Sequence, residues 1–334
     1  MRLVRQNEER GLSVDNSGGA GRKRGSIAVA VLVTAAIASG CATPAEESGG
    51  QGGSGVGVGK EGGEGQGRKI DGAAGALLSP AEKARRERAA AQQAQAARAA
   101  AARRWGLVQV PLTAPAPPKV KPRITARQGF EVDGQVEEGL PPVFTTVPVK
   151  DRVVFLTIDD GAEKDPELLR MMDELKIPYS SFLSDYLVKE DYGYFKKMQD
   201  KGVALHNHTL NHRYLPGLSY SQQKHEICGQ QSNIEKHYGK RPPLFRPPYG
   251  NYNKDTLVAA KSCGVKAVPL WAAEAFPDRM EWREWDKDLH PGDIVLTHFR
   301  GPDDWKGSMP DMIRRVMKTI TAKGYAVAKL EDYV

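Results

Sequence analysis

The feature that most constrains the fold is an alternation that begins near Val143. From there to the carboxyl end, apolar runs of strand length alternate with amphipathic stretches of helical length. This alternation predicts parallel strands joined by helices, which is an α/β fold. The predicted strands are residues 153–158, 179–183, 203–205, 244–246, 266–270, 294–297 and 325–328.

Helix signals fill the connections between these runs. Asp165 before Pro166 marks a helix start, because Asp is a good N-cap and Pro fits the first helical position. Further helices are predicted over residues 219–238, 254–263 and 309–323. We therefore interpret residues 143–334 as one domain.

The first 41 residues have the pattern of an export signal. A basic cluster at residues 22–24 precedes an apolar stretch at 27–37, which is too short to span a bilayer comfortably. Small residues then precede Cys41, which resembles a bacterial lipobox, in which the cysteine is lipidated. We expect Cys41 to anchor an exported protein at the outer face of the cytoplasmic membrane or in the cell wall. An ordinary signal peptide and an uncleaved signal anchor are the alternatives.

Three segments separate this signal from the domain. Residues 42–79 are rich in Gly and predict a flexible, disordered tether, because they cannot bury enough apolar surface to offset the entropy of ordering. Residues 80–104 predict an Ala- and Arg-rich helix that opens with the capping-box spacing of Ser79 and Glu82. Its few large apolar side chains favour a stalk. Residues 105–142 are rich in Pro and predict a stiff spacer.

The charge of the chain limits its partners. The formal net charge is +7 at pH 7, and much of it comes from arginines in the tail segments. A basic tail suits an anionic membrane surface or cell wall. No basic stripe with interleaved aromatic residues occurs, so we do not expect nucleic-acid binding. The sequence leaves the oligomeric state open.

Polar signatures gather at the ends of the apolar runs. The carboxyl ends of the strands are where the chemistry of a βα barrel collects. These residues supply what metal-assisted hydrolysis requires, namely three ligands, a spare carboxylate for a base and a distant histidine for an acid. The signatures are Thr157-Ile158-Asp159-Asp160-Gly161, His208-Thr209-Leu210-Asn211-His212, Arg246-Pro247-Pro248-Tyr249-Gly250, Trp271-Ala272-Ala273-Glu274 and Leu296-Thr297-His298.

The histidine pair is the strongest sign of a metal. His208 and His212 are four residues apart, so on a helical turn they would share one face and point at one ion. Two histidines at this spacing are by themselves more often structural. The carboxylates upstream favour a site, because Asp160 can supply a third ligand and leave Asp159 as a base.

These motifs resemble those of the NodB-type polysaccharide deacetylases, carbohydrate esterase family 4. The resemblance covers about residues 144–334 and implies a distorted (β/α)7 barrel. It also implies a metal site formed by Asp160, His208 and His212, with zinc as the usual ion and cobalt as another candidate. Asp159 matches the catalytic base of the family.

The resemblance assigns roles to four further residues. Tyr249 would donate its backbone N–H to the oxyanion, and His298 would be the acid that protonates the leaving nitrogen. Arg246 would pair with the base and tune it. Glu274 stands where the family has an Asp that orients the acid, and its extra methylene departs from that pattern.

Other candidate residues have open interpretations. By resemblance, Trp271 would wall the sugar site and Leu296 would shape the acetyl pocket, although either could be a core residue. If Cys41 carries lipid, Cys228 and Cys263 remain as one disulfide or as two buried thiols.

Together these features predict a membrane-tethered hydrolase that removes N-acetyl groups from a cell-envelope polysaccharide and releases acetate. Peptidoglycan is the first candidate substrate, followed by chitin oligomers and acetylated xylan. A catalytically silent glycan-binding module and a hydrolase of small amides on the same fold are the alternatives from other classes.

Overall fold

The computed structural model describes residues 79–124 and 139–334, all within one unit of the chain, Ala73–Val334. The predictions for the export signal, for Cys41 and for the linker up to residue 78 lie outside the described residues, as does the part of the spacer at residues 125–138. Within the described ranges, no helix combines the length and the apolar character needed to cross a bilayer.

Strands and helices alternate along most of the described chain. The strands are β1 (Val143–Phe144), β2 (Val153–Asp160), β3 (Ser180–Leu183), β4 (Ala204–Asn207), β5 (Val268–Pro269), β6 (Ala273–Ala275), β7 (Met280–Trp282), β8 (Ile294–His298) and β9 (Ala326–Val327). The helices are α1 (Pro80–Arg104), α2 (Pro166–Leu175), α3 (Asp185–Val188), α4 (Tyr192–Asp200), α5 (Tyr220–Tyr238), α6 (Lys254–Ser262) and α7 (Met309–Ala322).

The strand β2 lies at the centre of the sheet. It pairs in parallel with β3, with β8 and, through its first two residues, with β9. Every residue of β2 is buried. A parallel strand covered on both faces reads as a continuous apolar run, which is the pattern of residues 153–158. The α/β class predicted from the alternation is confirmed.

The barrel closes through short segments. The predicted strand at residues 244–246 forms only isolated bridges, with Asn207 on one side and Ala267 on the other. Prolines flank it on both sides and have no N–H to donate to a ladder. β1 then pairs with β5, and Thr145 just after β1 accepts a hydrogen bond from the N–H of Ile294 in β8. The barrel is distorted where these segments replace full strands.

Three strands were not predicted from the sequence. β1 has two residues, and β6 and β7 have three each. β6 pairs in parallel with β8 and in antiparallel fashion with β7. Segments this short give no readable periodicity, because two or three residues cannot establish an alternation.

The predicted helices are confirmed, and their caps explain where they begin. The side chain of Asp165 accepts a hydrogen bond from the N–H of Glu167 at the start of α2. Ser219, Asn253 and Ser308 form capping boxes at the starts of α5, α6 and α7. These side chains satisfy N–H groups that have no partner within the helix. α3 and α4 were not predicted.

A disulfide joins α5 to the end of α6. Cys228 and Cys263 are bonded, with Cα atoms 5.0 Å apart. The sequence left this pairing open. The bond closes a loop that contains the Arg246 motif, so it restrains the unfolded chain around part of the site.

The Ala-rich helix α1 begins and ends where the sequence indicates. Ser79 and Glu82 form its capping box, and residues 80–97 are exposed. For this exposed part of the 25-residue helix, the stalk stays a prediction.

The carboxyl end of α1 nevertheless belongs to the domain, because it packs on α2. Ala101 and Ala102 are buried, and small side chains allow the two helices to approach. Arg98 donates a hydrogen bond of 3.1 Å to the carbonyl oxygen of Leu175, the last residue of α2. Trp105 follows the helix and is also buried.

Trp105 provides a test of this docking. Its indole N–H donates a 2.6 Å hydrogen bond to Glu174 Oε2, and only 8% of the residue is exposed. We expect Trp105→Ala to lower the free energy of unfolding by about 3 kcal/mol, the order found for buried aromatic truncations. Trp285 is 92% exposed, so Trp285→Ala should change it by less than about 0.5 kcal/mol. Urea denaturation measures both, and equal losses would contradict the docking.

Candidate active site

Two adjacent carboxylates end the central strand. Asp159 and Asp160 are the last residues of β2, and Asp159 is paired in register with His298, the last residue of β8. Asp160 has φ 77° and Gly161 has φ 100°, so the chain turns sharply there. A Cβ on Gly161 would come within 2.5 Å of Val188 Cγ1, which explains the glycine. The parallel pairing brings base and acid candidates to one edge of the barrel.

The two candidate metal histidines lie in a tight loop and not on the helical turn that we expected. Asn207 Oδ1 accepts the N–H of Thr209, and Thr209 Oγ1 accepts the N–H of His212. Thr209 and His212 have positive φ angles of 71° and 52°. These side-chain hydrogen bonds compete with helix formation and curl the loop instead. The rings of His208 and His212 still converge, with centroids 4.8 Å apart.

Asp160, His208 and His212 form a cluster that can hold a cation. Asp160 Oδ1 lies 3.3 Å from His212 Nε2 and 3.5 Å from His208 Nε2. His208 Nδ1 donates a 2.7 Å hydrogen bond to the carbonyl oxygen of Arg246, which leaves Nε2 to face the cluster. Asp160 Oδ1 is buried and makes no hydrogen bond within the described part of the chain. A buried acceptor between two imidazole nitrogens fits a divalent ion such as zinc.

The charges in this cluster also suit a cation. Burial would raise the pKa of Asp160, but His208, His298 and His212 hold it well below its usual range. Burial and the charge of His208 lower the pKa of His212 to about 3. Burial works to lower the pKa of His208 too, but the neighbouring carboxylates of Asp159 and Asp160 raise it above its ordinary value.

A second group of carboxylates and imidazole lies in the loop before β8. It is more exposed than the first cluster, and it lies outside the signatures at the strand ends. Its members are Glu284, Asp286 and His290.

The candidate base is held by a buried arginine. Arg246 Nη1 donates a 2.7 Å hydrogen bond to Asp159 Oδ1 and a 3.0 Å hydrogen bond to Thr157 Oγ1. Its Nε and Nη2 donate to the carbonyl oxygens of Pro269 and Leu270. Burial lowers the pKa of Arg246, but the adjacent Asp159 counters this effect. Only Asp159 Oδ2 is left to face the cluster.

The candidate acid has the carboxylate partner expected for it. His298 Nδ1 lies 3.3 Å from Glu274 Oε1. Glu274 lies in β6 beside β8, which carries His298. Burial raises the pKa of Glu274, and the charge of His298 works against that rise. The longer Glu side chain therefore still reaches the histidine.

Tyr249 and Trp271 lie at a turn, Pro248–Gly250. Tyr249 has φ 61°, and its ring lies 4.7 Å from the ring of His212. Trp271 is 5% exposed and lies under this turn, where a Cβ on Gly250 would be 3.1 Å from the indole. Leu296 is 1% exposed and belongs to the apolar core.

Two residues at this edge were not singled out from the sequence. Arg300 Nη2 lies 3.0 Å from Asp160 Oδ2, and the ring of Trp305 meets that of His298 edge to face at 6.2 Å. The only feature of the sequence that could have indicated these two residues is their position just after the end of β8. His206, an additional histidine in β4, pairs instead with Glu331 at 2.8 Å.

Comparison with known sequences identifies a family. The family model described as polysaccharide deacetylase matches residues 146–268. An uncharacterized protein of Streptomyces coelicolor is 41% identical over 196 residues, which cover 58% of this chain and 78% of that protein. A peptidoglycan-N-acetylglucosamine deacetylase of Bacillus cereus is 27% identical, over 56% of this chain and 90% of that protein.

Comparison with solved structures identifies the fold. The wild-type form of a pseudoenzyme of carbohydrate esterase family 4 from Bacillus anthracis matches with a TM-score of 0.50 and 21% identity. The match covers 58% of this chain and 69% of that one. The barrel of this esterase family, which the motifs led us to expect, is therefore confirmed as the fold.

Zinc binding tests the cluster directly. We expect His208→Ala and His212→Ala each to weaken zinc binding by more than the roughly 10- to 100-fold that loss of an outer-shell partner costs, because each removes a ligand. His225 is an exposed histidine of α5, so His225→Ala should bind zinc like the wild type. Isothermal titration calorimetry measures all three. Wild-type affinity in either ligand variant would contradict the assignment.

Proposed function

Because the chain belongs to the polysaccharide deacetylase family, we propose that it is a metal-dependent hydrolase that removes N-acetyl groups from sugars of a cell-envelope polysaccharide. The arrangement of Asp159 carries this proposal. One carboxylate oxygen is held by Arg246, and the other lies 3.7 Å from His208 Nε2 at the candidate cation site. Asp159 therefore combines a fixed orientation with access to whatever binds there.

Asp159 is the proposed base. It accepts a proton from the water that attacks the acetyl carbonyl. Arg246 fixes the carboxylate from the opposite side, so Oδ2 stays directed at the attacking water. A divalent ion held by Asp160, His208 and His212, zinc by preference and cobalt as an alternative, would supply Lewis acidity to the water and the carbonyl.

Attack on an acetamide places negative charge on the carbonyl oxygen, and the backbone N–H of Tyr249 is the proposed donor to it. Pro247 and Pro248 limit the backbone before it, and the buried Trp271 supports the turn from below. A donor held in this way needs little reorganisation during the reaction. This role for Trp271 is an alternative to a direct wall of the sugar site, and Leu296 packs beneath the same edge.

His298 is the proposed acid. Nitrogen leaves readily only after protonation, so cleavage of an amide needs an acid as well as a base. Glu274 binds Nδ1 of His298, which leaves Nε2 for the leaving nitrogen. The carboxylate also stabilises the protonated imidazole. Trp305 flanks this ring and is the more accessible candidate for a sugar wall.

Peptidoglycan is the proposed polymer. The Bacillus cereus relative is named for that substrate, and a tether outside the membrane would place the domain beside the wall. Chitin oligomers and acetylated xylan remain the comparison substrates. The acetyl groups of chitin are amides like those of peptidoglycan, whereas those of xylan are esters, whose cleavage needs less help from an acid.

Acetate release tests the proposed reaction. Purified residues 42–334 with zinc should release acetate from peptidoglycan in preference to chitin oligomers or xylan. Asp159→Asn should lower the rate by about 10²- to 10⁴-fold, because an amide cannot accept the proton. Asp303 is an exposed carboxylate on the loop after β8, so Asp303→Asn serves as the matched control and should retain the rate.

The outcome of this assay separates the alternatives. No release from any glycan by a protein that binds both zinc and the polymer would contradict the proposal and favour a silent binding module. Activity on small amides alone would favour the other alternative, a hydrolase of small amides on the same fold. Release of acetate from chitin or xylan but not from peptidoglycan would contradict the proposed substrate and support the proposed hydrolysis of acetyl groups.

We also propose that the protein is exported and lipidated at Cys41. The basic cluster, the short apolar stretch and the small residues before this cysteine support the assignment. Metabolic labelling with a fatty-acid probe should mark the wild type and not Cys41→Ala. Equal labelling of the two proteins would contradict it.

A further inference from the structure

The two oxygens of the metal ligand Asp160 have different surroundings. Oδ1 is buried, lies within 3.5 Å of both histidine Nε2 atoms and makes no hydrogen bond among the described residues. Oδ2 lies 3.0 Å from Arg300 Nη2, which donates to it. We infer that Arg300 is a positioning residue, which holds Oδ2 so that Oδ1 alone faces the cation. The inference rests on the metal site of the proposed function.

The backbone places Arg300 over the carboxylate. Phe299, just after β8, donates its N–H to the carbonyl oxygen of Asp159 and accepts the N–H of Glu163. Its side chain is fully buried and meets Phe195 edge to face at 5.7 Å. The backbone of Phe299 is therefore hydrogen-bonded to Asp159 and to Glu163, which lies just after the Asp pair. Because the backbone of Phe299 is bound there, the next residue, Arg300, is held near Asp160, and its Nη2 reaches Oδ2 at 3.0 Å.

A close-packed turn follows Arg300. A Cβ on Gly301 would lie 2.2 Å from Glu163 Oε2, so a larger residue would have to displace that carboxylate. The N–H of Trp305 then donates to the carbonyl oxygen of Gly301 at 2.8 Å. The side chain of Arg300 is 19% exposed, which is low for an arginine on a loop.

Asp160 needs such a restraint. Its φ of 77° takes it out of the regular strand, and the terminal torsion of an aspartate is broad and roughly two-fold. Without a partner on Oδ2, the carboxylate could present either oxygen or both to a cation. His208 has its own restraint, the hydrogen bond from Nδ1 to the carbonyl oxygen of Arg246. Arg300 would orient the carboxylate of Asp160 as this hydrogen bond orients the imidazole of His208.

Orientation of Asp160 by Arg300 would favour metal binding, whereas the positive charge of Arg300 would oppose it. Like charges repel, so a guanidinium beside a ligand weakens metal binding unless its orienting effect is larger. Orientation and repulsion therefore predict opposite changes in metal affinity when the side chain is removed. Positioning predicts that truncation weakens metal binding, whereas dominant repulsion predicts that truncation strengthens it.

Metal affinity of the purified protein, without substrate, tests the inference. We expect Arg300→Met to weaken zinc binding by about 10- to 100-fold in competition with a chelating dye, the range for outer-shell partners. Arg300→Lys keeps the charge but lacks the planar fork, so its affinity should lie between those of Arg300→Met and the wild type. The visible spectrum of the cobalt-loaded protein should change in Arg300→Met, because the carboxylate can then bind differently.

Matched variants separate the explanations. Asp303 is exposed on the same loop, so Asp303→Asn should leave zinc affinity and the cobalt spectrum unchanged. Unchanged or tighter zinc binding by Arg300→Met and Arg300→Lys would overturn the positioning role. His208→Ala belongs in the same titration, because wild-type affinity in that variant would contradict the metal site itself. Thermal melting of the metal-free proteins checks that the substitutions leave the fold intact.

Discussion

The site depends on one buried arginine. Arg246 is fully buried, and its guanidinium donates to two side chains of β2, those of Asp159 and Thr157. It also donates to the carbonyl oxygens of Pro269, the last residue of β5, and of Leu270, the next residue. Its carbonyl oxygen accepts the hydrogen bond that orients His208. One residue therefore fixes both the base and a ligand of the candidate cation. Removing one partner of such a buried pair typically costs about 3–5 kcal/mol, because the other charge is left uncompensated.

Parallel pairing explains how distant motifs meet around this arginine. β2 ends in the Asp pair, β8 ends in His298 directly beside it, and β4 ends just before His208. Each strand therefore delivers its polar residues to the same edge. Buried polar groups at this edge must bond to one another, to neighbouring backbone groups or to a ligand. Oδ1 of Asp160 is one of the buried side-chain atoms in the described part of the chain that have no hydrogen-bond partner, and it lies between the two candidate histidine ligands.

The sequence predicted what depends on local pattern and missed what depends on distant contacts. Helix caps and buried strands were located because their signals lie within a few residues, and the Asp pair was found because it ends such a strand. The segment at residues 244–246 was predicted as a strand but forms only isolated bridges. How far it pairs depends on the neighbouring segments and on the flanking prolines, which a local pattern does not show. The helical turn expected at His208 was wrong, because Asn207 and Thr209 bind the backbone there. Arg300 is recognised only once the fold sets it against Asp160.

The central claim is a division of labour between Asp159 and Asp160, and anomalous diffraction from crystals grown with zinc tests it most directly. The account predicts one strong peak with Asp160 Oδ1, His208 Nε2 and His212 Nε2 at about 2.0–2.2 Å and Asp159 outside the coordination sphere. A peak coordinated by Asp159, or one found only at the exposed group around His290, would contradict it.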